Sequence, residues 1–208
     1  MAKLFSIKPP LTLKGRHFKG IRGWSGKPLH PPLTDIPIAA YLLAAVFDVI
    51  SYIAARGDAS PGNGVAHDFF VAANFVIIAG AVGSVGAAVT GFWDWWKGVD
   101  REPSGLFGRA QHTQVWRTMN WHMTVMLTVT ALVIVDIVVR LSGSVTSHAT
   151  LPPTILSVVA AALVSYGAIY GGALVYDYQF NVEGLEGSTV WDETDVDQMP
   201  GDHPQSGW

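Results

Sequence analysis

Four long apolar stretches, at about 36–55, 69–93, 116–141 and 155–176, leave this chain few ways to fold. At 1.5 Å per residue each is long enough, as a helix, to cross a hydrocarbon core of about 30 Å. The segments between them are short and carry Gly, Pro, Ser and charge, the composition of connecting loops. The sequence therefore predicts an all-α polytopic membrane protein, a four-transmembrane-helix bundle. Only 14% of the 208 residues are charged, where a soluble domain carries about a quarter, and those charges are segregated to the ends and the loops. The expected division is a basic N-terminal tail (1–33), a transmembrane domain (34–178) and an acidic C-terminal tail (179–208). Residues 1–33 contain no apolar h-region, so the first apolar run reads as a retained anchor rather than a cleaved signal.

Lys and Arg set the expected orientation. Seven lie before the first span and four between spans two and three (Lys97, Arg101, Arg109 and Arg117), whereas the opposite side has only Arg56 and Arg140. This positive-inside bias predicts both termini in the cytoplasm. Trp93, Trp95, Trp96, Trp116, Trp121, Tyr176 and Tyr178 then fall at the cytoplasmic interface, where amphipathic rings belong. The basic tail suits anionic lipid headgroups. The acidic tail contains Phe180, Trp191 and Trp208, which solvation alone does not call for, so a protein partner is expected there.

The composition also excludes chemistry. With no cysteine, the chain forms no disulfide, thiolate metal site, cysteine-ligated iron–sulfur cluster or covalent c-type haem. A net charge of -3 gives no nucleic-acid footprint. The sequence shows no nucleophile–base pair, phosphate loop or zinc motif, and the chain does not read as an enzyme.

Ionisable residues inside a membrane are functional candidates by default. Asp136 and Arg140, four apart near the end of span three, read as a local ion pair. Asp35 follows Thr34, a plausible N-cap, and complements the helix dipole. Asp48 has no Lys or Arg near it in sequence, so it must face the bundle interior, a partner or water. His30, before Pro31 and Pro32, and His122, six residues into span three, sit at similar expected depth. Neutral imidazoles on facing helices hold haem or metal in bundles, and a histidine satisfied by a neighbouring carboxylate, hydroxyl or carbonyl is the plainer reading. Met119, Met123 and Met126 offer thioethers, though methionine is more often a gap-filler. Span two carries a small-residue stripe, Ala79, Gly83, Ala87 and Gly91, and span four has Gly167 and Gly171; such stripes let helices approach closely.

Span two ends Trp93-Asp94-Trp95 and span four ends Tyr176-Asp177-Tyr178. Each helical hairpin thus opens with a histidine and closes on aromatic-Asp-aromatic, the pattern of two parallel hairpins related by an axis along the membrane normal. That repeat would gather His30, His122, Asp94 and Asp177 at one end, with the two carboxylates as acceptors for the second ring nitrogens.

The run from His30 to Ala39 (HPPLTDIPIA), the Thr90-Gly91-Phe92-Trp93-Asp94 block, His122 with Arg140 closing its helix, and the block from Gly171 to Tyr176 resemble in order the motifs of a bacterial membrane family, domain of unknown function 2231. The resemblance covers roughly residues 28–182. It implies a place in a bacterial cytoplasmic membrane and, because such domains are sometimes joined to Rieske iron–sulfur domains, redox surroundings. Many members have histidine where this chain has Asp35 and Tyr178.

Three functions follow as expectations. The first is a non-catalytic accessory or anchor subunit of a larger electron-transfer complex, respiratory or photosynthetic, contacting lipids and redox partners through its tails. The second is a b-type haem or quinone-binding electron-transfer protein using His30 and His122. The third is a small transporter using Asp48.

Overall fold

The computed structural model describes residues 20–21, 28–57, 64–98, 113–142 and 147–182. They form four helices: α1 (His30–Gly57), α2 (Val65–Gly98), α3 (Gln114–Ser142) and α4 (Leu151–Tyr176). All four are long and apolar enough to cross a membrane. Helices are the consequence of that composition, because in lipid every backbone N–H and C=O must be paired within its own segment. Each helix turns large apolar side chains outward, among them Ile53, Phe75, Val82, Leu141 and Ile169, each more than 60% exposed, which is the surface a bilayer covers.

α1 packs most closely on α2 and α3 on α4, α4 also lies against α1, and α2 and α3 touch least. The diagonal pairs, α1 with α3 and α2 with α4, do not approach at the backbone among the described residues. The bundle is thus two antiparallel hairpins side by side, closed on one flank and open on the other. Tyr41, Ala44, Ile77, Val129, Val133, Ala160 and Val164 fill its centre.

The small residues of α2 do what helix packing asks of them, Gly83 of the stripe and Gly80 beside it. A Cβ on Gly80 would lie 2.7 Å from that of Ala40, and one on Gly83 would lie 2.8 Å from an Ile36 methyl, so neither position tolerates a side chain without displacement. The start of α1 differs from expectation. The helix begins at His30, ahead of Pro31 and Pro32, since a proline in the first turn loses no hydrogen bond. Thr34 therefore lies inside the helix and donates to the Pro31 carbonyl at 2.6 Å instead of capping, and Asp35 is exposed beyond the first turn. The 183–208 part of the acidic tail, with Trp191 and Trp208, and most of the basic tail lie outside the described residues.

Candidate functional site

The start of α1, the end of α2, the start of α3 and the end of α4 share one end of the bundle, so the topology brings His30 and His122 to the same level. The two imidazoles meet across the α1–α3 diagonal with ring centroids 6.4 Å apart and planes at 83°.

Each ring is held the same way. Nδ1 of His30 lies 2.9 Å from the carbonyl oxygen of Ala87, and Nδ1 of His122 lies 2.9 Å from that of Gly167. A carbonyl only accepts, so in both rings Nδ1 carries the proton and donates. Nε2 is left as the lone-pair nitrogen, with no hydrogen-bond partner for either ring among the described residues. A glycine one turn beyond each accepting carbonyl makes room for the ring. A Cβ on Gly91 would stand 2.6 Å from His30 Cε1, and one on Gly171 would stand 3.1 Å from His122 Cε1. Thr90 completes the first hairpin's half of the site: its Oγ1 donates to the Gly86 carbonyl at 2.8 Å and lies 3.4 Å from His30 Nδ1.

Both imidazoles line a cleft of about 130 Å³ between α1, α2 and α3, whose other walls include Ala87, Gly91, Phe92, Met123 and Met126. Phe92 and Leu127 line the cleft while more than half exposed, so it opens to the lipid side through the gap between α2 and α3. Tyr41 and Ser84, hydrogen-bonded to each other at 2.7 Å, lie at its deep end.

The repeat is present with a different content from the one read in sequence. The recurring unit is histidine, carbonyl and glycine: His30 with Ala87 and Gly91, then His122 with Gly167 and Gly171. The aromatic-Asp-aromatic triplets do not occupy equivalent places. Asp94 accepts the Ile21 backbone N–H at 3.3 Å and so ties Ile21 to this end of the bundle. Asp177 is exposed just past the end of α4. Neither hydrogen-bonds an imidazole; the acceptors are backbone carbonyls. Met126 packs its sulfur against Gly167, a gap-filling role, and Met123 lines the cleft.

The intramembrane charges gather at the opposite end. Arg140 donates from Nε to Asp136 Oδ1 at 2.9 Å, from Nη1 to Asp48 Oδ1 and Asn74 Oδ1 at 3.0 Å each, and from Nη2 to Asp136 Oδ2 at 3.1 Å and to Asp48 Oδ2. All five guanidinium N–H groups are used, and both carboxylates are gripped by two donors. The expected Asp136–Arg140 pair is there, with Asp48 as its third member. Asp48, Asp136 and the Arg140 side chain are each no more than 3% exposed. Beside them Ser51 donates to the Ala66 carbonyl at 2.5 Å and accepts the Ala149 N–H at 2.9 Å, tying the start of α2 and the residue pair before α4 to α1.

Asn74 was missed in the sequence, since an asparagine in an apolar run says nothing about a partner 66 positions away. Ala87 was read as part of a packing stripe and not as an acceptor. Among the described residues no third His, Asp or Glu joins the two imidazoles.

No curated protein and no solved structure matches this sequence. Residues 26–184 match the model of a family described as predicted membrane protein, and on that span, which contains all four helices and both histidines, the chain belongs to domain of unknown function 2231.

Proposed function

We propose that this protein is a b-type haem protein of a bacterial cytoplasmic membrane, in which His30 and His122 would hold the haem, and that it transfers electrons as a non-catalytic subunit among redox partners. The observation that carries the reading is the matched pair of imidazoles, each fixed by an Nδ1–H to a backbone carbonyl and each with a free Nε2.

The residues fit such a group on several counts. Metal-ligating histidines characteristically donate their other ring nitrogen to a carbonyl or carboxylate, which fixes the tautomer and raises the basicity of the ligating nitrogen. With ring centroids 6.4 Å apart, the two imidazoles are near enough that both would hold one group between them. Two side-chain ligands would be enough to hold a haem, which brings its own ring nitrogens, and are too few for a bare metal ion held by side chains alone. The space at Gly91 and Gly171 is taken by the imidazole rings themselves; the cleft, at about 130 Å³, is smaller than a haem, so seating one requires α2 and α3 to part along their loosely packed flank.

When bound, haem supplies one-electron transfer. The chain's own share is positional. Ala87 and Gly167 hold the imidazoles, the apolar walls keep water from the ligating nitrogens, and Phe92, Met123 and Met126 provide soft contact surface. A quinone would suit the same cleft, but it gives no reason for two equivalently prepared Nε2 atoms. Transport through Asp48 has no support in the geometry, since that carboxylate is fully engaged by Arg140.

Titration of haemin into the detergent-solubilised protein tests the proposal. A six-coordinate low-spin spectrum saturating at one haem per chain, and lost in His30→Ala, is expected. A high-spin, non-saturating spectrum identical in the His30→Ala variant contradicts it.

A further inference from the structure

The two ends of the bundle are tied by one spacing. Asp48 lies 18 positions beyond His30 on α1, and Arg140 lies 18 positions beyond His122 on α3. Positions 30 and 122 are equivalent under the relation between the hairpins, so 48 and 140 are equivalent as well. One member of that second pair is acidic and the other basic. Eighteen residues correspond to about 27 Å of helix, so the imidazoles and the ion pair face each other along the same diagonal from opposite ends of the bundle.

α1 and α3 do not approach at the backbone. Apolar contacts fix their relative height weakly, because in lipid a displaced leucine or valine meets an equally apolar surface. A bidentate carboxylate–guanidinium pair has one good geometry. We propose that Asp48–Arg140 is a positioning device for the imidazole pair: it sets the height of one hairpin against the other, and through two stiff helices it sets the approach of His30 to His122. Asp136 plays a different part. Its bonds to Arg140 stay within α3, so it orients the guanidinium without linking the hairpins. The importance of this register for a haem rests on the reading above; the register itself does not.

Cross-linking tests the register without haem. The chain has no cysteine, so the pair His30→Cys/His122→Cys reports inter-hairpin proximity with a short bis-maleimide in native membranes. The pair His122→Cys/Gly171→Cys reports proximity inside one hairpin. Adding Arg140→Gln is expected to slow the inter-hairpin reaction roughly tenfold, as when one partner of a buried ion pair is removed, while the intra-hairpin reaction stays within about twofold. Should that chain fail to accumulate, Arg140→Lys keeps the charge and loses the fork, and a roughly threefold slowing confined to the inter-hairpin pair is expected. An unchanged inter-hairpin rate in a folded variant overturns the proposal. So does an equal slowing of both pairs, which marks general loosening. If the unsubstituted protein binds no haem while the selective slowing is seen, the haem reading falls and this one stands.

Discussion

The imidazole end and the arginine end of this bundle solve the problem of polar groups in lipid in opposite ways. At the arginine end every guanidinium N–H has an acceptor and both carboxylates are gripped twice. At the imidazole end each ring spends one nitrogen on a backbone carbonyl and keeps the other unused beside a cleft. A buried polar group left unpaired costs free energy, so a closed network marks structure and an open valence marks a site. The comparison separates groups that look alike in sequence: all are rare ionisable residues in apolar helices, and their difference lies in what remains unsatisfied.

The largest effect should fall on the saturated end. Arg140→Leu strands two buried carboxylates and is expected to destabilise the bundle by about 3–5 kcal/mol, read as loss of helicity on denaturation in detergent. His122→Ala removes one hydrogen bond and a half-buried ring, and in haem-free protein should cost no more than about 1–2 kcal/mol. Equal losses would erase the distinction between the two ends.

Haem retention should show the reverse order. His30→Ala or His122→Ala is expected to weaken haem binding roughly 100-fold or more, beyond the usual effect of losing a supporting group, with the helices intact. The glycines sharpen the point by degree. Gly91→Ala places a Cβ 2.6 Å from the His30 ring, against 3.1 Å at Gly171 and His122, so Gly91→Ala should weaken retention roughly tenfold and Gly171→Ala less. The smallest effects belong to Asp94→Asn and Asp177→Asn, expected to leave haem retention within about twofold because neither carboxylate touches an imidazole. Parallel haemin titrations of the six variants decide the ranking.

The four spans were legible because hydrophobic length is a property of each segment alone. Asp136–Arg140 was legible because four residues is one helical turn. The partner of Asp48 was not, since it lies 92 positions away; the shared 18-residue offset from the two histidines was the available signal. The imidazole acceptors were misassigned to Asp94 and Asp177 for a related reason. A carboxylate stands out in sequence, whereas a backbone carbonyl has no side chain to announce it. Only the small-residue stripes at Ala87, Gly91, Gly167 and Gly171 indicated that a neighbouring backbone would come close enough to accept.

The electron paramagnetic resonance spectrum of the oxidised protein, purified from haem-replete cells, tests the central claim most directly. The account predicts a low-spin ferric signal from two imidazole ligands at one haem per chain, abolished by His122→Ala. A folded, colourless preparation, or a haem signal unchanged in that variant, would contradict it.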